Sequence, residues 1–140
     1  METKSTVLKV TTIVNAPINK VWKLWTTPSD IQNWNSPSPD WHTPTATHDL
    51  KNGGSFSYRM EAKDGSFGFD YAGTFDEVTE AKYLEYTLGD GRKVKIHFIE
   101  VDGGTQIDEH FEAENQNTLE LQQQGWQAIL DNFKNYAEAA

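Results

Sequence analysis

Glu109 is the residue of this 140-residue chain best placed to do chemistry. It falls in the series Thr105, Ile107, Glu109, Phe111, and strand periodicity sets its carboxyl between apolar side chains on an inward face. A carboxyl buried there without a partner has its pKa raised and can act as proton donor, as base, or as acceptor for a ligand hydroxyl or amine. As a purely structural residue it would pair locally or sit at a wet cavity mouth. Gln122 and Gln123 are the second anomaly, one helical turn before Trp126 on the same stripe. Uncompensated amides on a buried face cost roughly 1–3 kcal/mol each, so water, Glu109 or a ligand is expected to satisfy them. Tyr58, Met60, Phe69, Tyr71 and Trp126 would line a cavity beside these polar groups, with Trp41 placed to close it. Aromatic stripes at regular spacing ordinarily just pack, so each of these residues also fits a plain core.

Positioning this set requires a sheet and a covering helix. Residues 7–14 alternate in β-branched residues and predict a strand. Asn15-Ala16-Pro17 then stops it, with Asn15 as helix N-cap and Pro17 in the first turn. Ile18, Val21, Trp22 and Trp25 recur at helical spacing, Pro28 ends that helix, and a second short one is expected over residues 29–34. Residues 35–47 are rich in Ser, Thr and Pro, show neither period, and read as a functional or covering loop.

Beyond Gly53-Gly54 the turns predict strand pairings. A hairpin at Asp64-Gly65 sets Met60 opposite Phe69, Tyr58 opposite Tyr71 and Phe56 opposite Gly73, where the glycine leaves room for a ring. Inward parity switches between Phe75 and Val78, which predicts a bulge. The Gly89-Asp90-Gly91 loop brings Tyr86 to Val94 and Leu84 to Ile96. A two-residue turn at Gly103-Gly104 pairs Ile96 with Phe111, Phe98 with Glu109, Lys95 with Glu112 and Lys93 with Glu114. It also sets His97 facing His110 on the outer side, although a slip of two residues keeps the same faces. The last helix is expected over residues 118–138, with Trp126, Ile129, Leu130, Phe133, Tyr136 and Ala137 as its apolar stripe.

Composition narrows the function. Leu, Ile, Val and Phe number 29 of 140, a shortage offset by 17 aromatic residues, five of them Trp. One domain over residues 1–140 is the expected organisation. The net charge is −9, and no Lys or Arg lies between Lys95 and Lys134. Such a chain lacks the basic stripe that nucleic acid or an anionic bilayer demands, and neither is an expected partner. The chain has no cysteine, so disulfides and thiolate chemistry are excluded. The four histidines fall in no metal-binding motif, and no cofactor or metal is expected. The opening residues lead straight into polar–apolar alternation, not an apolar leader, so a cytoplasmic location is expected.

An antiparallel sheet with one apolar face needs a cover, and the C-terminal helix is the element long enough to supply it. The residues Asn15-Ala16-Pro17 before Val21-Trp22 and Trp25, Gly53-Gly54, Gly73-Thr74-Phe75 with Glu77-Val78, Gly103-Gly104-Thr105, and Gly125-Trp126 leading to Leu130 together resemble a known family. It is the START-related, birch-pollen-allergen-like (SRPBCC) superfamily, and within it the group similar to the C-terminal domain of the activator of heat-shock protein 90 ATPase. The resemblance implies an α+β helix-grip fold, a curved antiparallel sheet of about six to seven strands around a long C-terminal helix, with two short helices after the first strand.

Members of the superfamily bind lipids, hormones or polyketides, some act as cyclases, and the eukaryotic activator stimulates a chaperone ATPase. Three expectations follow for this chain. It binds a small hydrophobic or amphipathic ligand between sheet and helix, through Trp41, Tyr58, Met60, Phe69, Tyr71, Glu109, Gln122 and Trp126. Alternatively it is an enzyme of cyclase or hydratase type with Glu109 as acid or base. A third reading is an interaction protein that modulates a chaperone or another enzyme through the acidic surface of residues 100–114.

Overall fold

The computed structural model describes residues 6–140; residues 1–5, read above as lacking a leader, lie outside it. Strand β1 (Val7–Val14) leads into helices α1 (Ile18–Thr26) and α2 (Pro28–Trp34). Six strands follow: β2 (Trp41–His48), β3 (Ser55–Ala62), β4 (Gly68–Thr79), β5 (Tyr83–Leu88), β6 (Lys93–Val101) and β7 (Gly104–Glu112). Helix α3 (Leu119–Ala139) completes the order. The strands form one antiparallel sheet in the order β1-β7-β6-β5-β4-β3-β2, so neighbours in sequence are neighbours in space except that β1 returns beside β7. This is the expected α+β helix-grip arrangement, a curled sheet holding a long helix.

Alternation does most of the local work. Strand β7 buries Thr105, Ile107, Glu109 and Phe111 and turns the intervening residues outward. The expected pairs Met60 with Phe69, Tyr58 with Tyr71 and Phe56 with Gly73 are all present. So are Tyr86 with Val94 and Leu84 with Ile96. The β4–β5 register shifts between Phe75 and Glu77, where the parity change predicts a bulge. Thr118 caps α3 through its side chain, which accepts from the Leu121 N–H.

Four expectations are corrected. The β6–β7 hairpin turns at Asp102-Gly103, pairing Ile96 with Glu109 and Phe98 with Ile107, two residues away from the expected register. Gly103 takes φ 79° in the turn, and a Cβ on Gly104 would lie 2.1 Å from the Val14 carbonyl oxygen, so the second glycine belongs to the strand pressed against β1. His97 therefore faces Asp108, and His110 faces Lys95. Lys93 and Lys95 are likewise not opposite Glu114 and Glu112; Glu112 instead accepts from the Lys93 N–H at 2.6 Å.

The segment expected to be an aperiodic loop over residues 35–47 contains most of edge strand β2, which pairs with β3 and shifts register between His42 and Thr45 around Pro44. Proline cannot donate to a ladder, and an edge position with a bulge accommodates it. Asn15 does not cap α1: Pro17 occupies the N-cap position, while the Asn15 N–H donates to Glu138 at 2.8 Å. At Gly73 the missing side chain makes room not for the Phe56 ring but for β5, since a Cβ would lie 2.2 Å from the Thr87 carbonyl oxygen.

Helix α3 does more than cover the concave face. Gln123, Gln127 and Lys134 donate to the carbonyls of Lys9, Thr11 and Ile13 at 2.5, 3.1 and 2.7 Å. These alternate carbonyls belong to edge strand β1, so the helix satisfies acceptors that an open edge would leave for another chain. The two halves of α3 then face different surroundings. Its C-terminal half packs Phe133 against Trp25 and Trp34, with ring centroids 4.8 and 4.9 Å away, and the Trp34 indole N–H donates to the Leu24 carbonyl at 3.0 Å. That end is filled core. The N-terminal half lies over a hollow.

Candidate functional site

The hollow is a cavity of about 490 Å³ between the concave sheet and the N-terminal half of α3. Phe56 and Tyr58 on β3, Tyr71 on β4, Tyr86 on β5, Glu109 on β7 and Trp126 on α3 are among its walls. The sheet is curled enough for strands four places apart to contribute to one concavity, which is how Tyr58 and Glu109, distant in sequence, come to share a wall. Trp126 holds its place by lying flat on Phe111, with centroids 3.9 Å apart and planes 5° from parallel. Its indole also meets Tyr71 edge-on at 6.2 Å.

The buried polar groups of the cavity are paired, with one exception. The Tyr71 and Tyr86 hydroxyls hydrogen-bond each other at 2.8 Å, and the Tyr58 hydroxyl lies 2.8 Å from His48 Nδ1. Burial raises the pKa of all three tyrosines. Burial also lowers that of His48, against the opposing pull of its bond to the Thr26 backbone and the charge of Asp49. Glu109 is the exception. It is 6 % exposed and has no hydrogen-bond partner among the described residues. Burial alone pushes its carboxyl up to about 8, so at neutral pH it is largely protonated.

Gln122 is buried at the cavity, yet neither Glu109 nor an outside molecule is needed to satisfy it. Its side-chain oxygen accepts from the Glu114 N–H at 2.9 Å, and its amide donates to the carbonyls of Glu114 and Asn117 at 3.1 and 2.9 Å. It ties the connection between β7 and α3 to the helix. Gln123, the other amide, turns to the Lys9 carbonyl of β1. Glu114 fixes the same connection from the other side, accepting from the N–H groups of Gln116 and Asn117 at 3.1 and 2.7 Å. The Asn117 N–H is the main influence holding its carboxyl below the usual range.

Met60 is buried and lines the cavity, as does Phe69, which is 39 % exposed at the rim. Trp41 is not in the wall. Its ring lies 6.1 Å from both Phe67 and Phe69, behind the two rings that are. Sequence reasoning overlooked His48, Phe67, Tyr86 and Arg92 as lining residues. Tyr86 could have been found from its parity with Leu84 and Leu88, and His48 from its pairing with Phe56 once residues 41–48 are read as a strand. Phe67 and Arg92, in hairpin turns, carry no periodic signal. Arg92 bonds Asp90 at 2.8 Å.

A family model described as activator of Hsp90 ATPase homolog 1-like protein matches residues 15–138. The chain belongs to this family. A solution structure of an AHSA1-like protein from Aeromonas hydrophila is 44 % identical, with a TM-score of 0.90 over 96 % of this chain and 93 % of that one. A Cytophaga hutchinsonii protein, also known from a solution structure, is 50 % identical over 96 % of this chain and 92 % of its own, with a TM-score of 0.80. A Nitrosomonas europaea protein at 22 % identity has the same fold, with a TM-score of 0.81 over 95 % of this chain and 94 % of that one. No curated protein matches the chain significantly. In this AHSA1-like chain no helix among the described residues is long and apolar enough to cross a membrane.

Proposed function

We propose that this AHSA1-like chain binds a small hydrophobic or amphipathic molecule in the cavity beneath the N-terminal half of α3. Tyr58, Met60, Phe69, Tyr71 and Trp126 supply apolar surface, Glu109 the polar contact, Gln122 the rigid corner, and Trp41 backs the rim. The observation that carries this reading is Glu109: a carboxyl 6 % exposed, facing a cavity of about 490 Å³, with no partner among the described residues. No fully buried side-chain oxygen or nitrogen among the described residues lacks a partner, so the unbonded Glu109 carboxyl is reachable from the cavity, where a ligand or water can meet it. The volume lies within the roughly 300–1,000 Å³ of small-molecule sites, and the fold is one that commonly encloses hydrophobic ligands.

Titration with the neutral fluorescent probe 1-pyrenemethanol tests the reading. Saturable one-to-one binding, with NMR shifts concentrated on the Trp126 indole and on residues of β4 and β5 facing the cavity, is the expected result. Shifts confined to the outer face of the sheet, or no saturable binding of this probe or of its amine and acid counterparts, would overturn it.

A further inference from the structure

The charged groups around Glu109 narrow the kind of molecule. On β2 and β3, His48 and Tyr58 bond each other at 2.8 Å; on β4 and β5, Tyr71 and Tyr86 do the same. Arg92, in the turn between β5 and β6, is held by Asp90 at 2.8 Å. Glu114, beyond β7, is engaged by the backbone N–H groups of Gln116 and Asn117. From α3 the cavity receives Gln122, Trp126 and Ile129, and from α1 and α2 it receives Trp25, Thr26, Ile31 and Trp34, none of them charged. No lysine lines it. The one cation in the wall already has its carboxylate, and the one unengaged ionisable group is an acid.

The rings complete the pattern. Phe111 occupies one face of Trp126, Tyr71 and Tyr86 meet at their hydroxyls, and all three cavity rings share the wall with Glu109. Aromatic faces carry negative quadrupole density that attracts an organic cation and gives nothing to an anion. A neutral hydroxyl or carbonyl ligand can hydrogen-bond the protonated carboxyl, but only an ammonium makes a charge-assisted bond with the ionised one.

We propose that the molecule taken by this cavity is a lipophilic amine, whose protonated nitrogen pairs with the Glu109 carboxylate among the rings of Tyr71, Tyr86 and Trp126. The inference rests on the binding reading above and names its ligand class. On binding, the amine arrives as an ammonium and the Glu109 proton leaves to solvent, so charge and protons balance. Empty, the site keeps Glu109 protonated; filled, it holds an ion pair.

Three probes sharing one ring system separate this from the alternatives: 1-pyrenemethylamine, 1-pyrenemethanol and 1-pyrenecarboxylic acid. The amine is expected to bind about tenfold or more tightly than the alcohol at pH 8, and the acid most weakly. Amine affinity is expected to fall by up to about tenfold per unit as pH drops below about 8, because only the ionised fraction of Glu109 is competent, while alcohol affinity stays flat. Glu109→Gln is expected to erase the amine's advantage and leave alcohol binding in place. The pH series needs only the unaltered chain, so it decides the question even if the variant does not fold. Equal binding of amine and alcohol, or tightest binding of the acid, would overturn the amine inference and leave the cavity reading standing. Failure of all three probes to bind would overturn both.

Discussion

The indole of Trp126 lies flat on the ring of Phe111, centroids 3.9 Å apart and planes 5° from parallel. This contact joins the N-terminal half of α3 to β7 beside a cavity, where few other contacts do so. Trp126→Ala is expected to cost about 2–4 kcal/mol, and Trp126→Phe about half as much, because the second variant keeps a stacking partner. Urea unfolding measures both. A loss below about 1 kcal/mol for the alanine variant would show that the helix is held in place without the stack.

Glu109 should leave its mark on stability as a function of pH. Its carboxyl stands at about 8 in the folded chain, against an ordinary 4.5. Between these values the native state holds more protons than the unfolded state, so stability falls as pH rises through that window, by an amount on the order of a few kcal/mol. His48, whose pKa burial lowers, pulls the opposite way near and below its ordinary value of 6.5. Carboxyls lowered in the fold, such as Asp108, act on the acid side of the window, where their contribution is lost as pH falls. Comparison with Glu109→Gln isolates the effect: the variant carries a pH-independent cost of about 1–3 kcal/mol for its buried amide and should lose the downward slope. Equal slopes for the two proteins between pH 5 and 8, measured by urea unfolding, would refute the assignment.

Two glycines should respond oppositely to alanine. At Gly73 a Cβ would meet the Thr87 carbonyl oxygen at 2.2 Å and the Leu88 Cα at 3.1 Å, so Gly73→Ala must push β4 and β5 apart. It is expected to destabilise by about 2 kcal/mol or more. At Gly125, inside α3, a Cβ meets nothing within 4 Å. Gly125→Ala is therefore expected to stabilise by about 0.5–1 kcal/mol through helix propensity. Thermal midpoints moving in the same direction would contradict the close approach of β4 to β5.

The amides that α3 offers to the edge of β1 should govern self-association more than stability. Gln123→Ala with Gln127→Ala releases the Lys9 and Thr11 carbonyls, at an expected cost of about 1 kcal/mol per bond or less, since water replaces the amides. The freed acceptors make β1 a template for strand addition. Light scattering at increasing concentration should show the double variant associating where the parent does not. An unchanged scattering profile would mean that Lys134 and the bulk of α3 guard the edge by themselves.

Much of the sheet was legible because local chemistry specified it. Asp64-Gly65 set the register of Tyr58 against Tyr71, and the parity change before Val78 located a bulge. Where two turns were compatible with one alternation, at Asp102-Gly103 and Gly103-Gly104, the local pattern could not choose. A slip of two residues preserves every inward side chain, and the choice falls to the Val14 carbonyl of β1, a contact between residues 90 apart. Strand β2 was illegible for a related reason. Its Ser, Thr and Pro content resembles a loop, and only pairing with β3 makes it a strand.

The sequence by itself determined the inward carboxyl of Glu109, the aromatic concave face and the helix long enough to cover it, because alternation and helical periodicity are properties of neighbouring residues. Tertiary structure decided which polar groups are left without partners. Gln122 and Glu109 read alike along the chain, two polar residues on buried faces. In the fold, the backbone of residues 114–117 bends back to satisfy the amide, while no described element brings a hydrogen-bond partner to the carboxyl. Hydrogen bonding requires atoms within about 3 Å in the right direction, and only the folded arrangement of distant segments sets that.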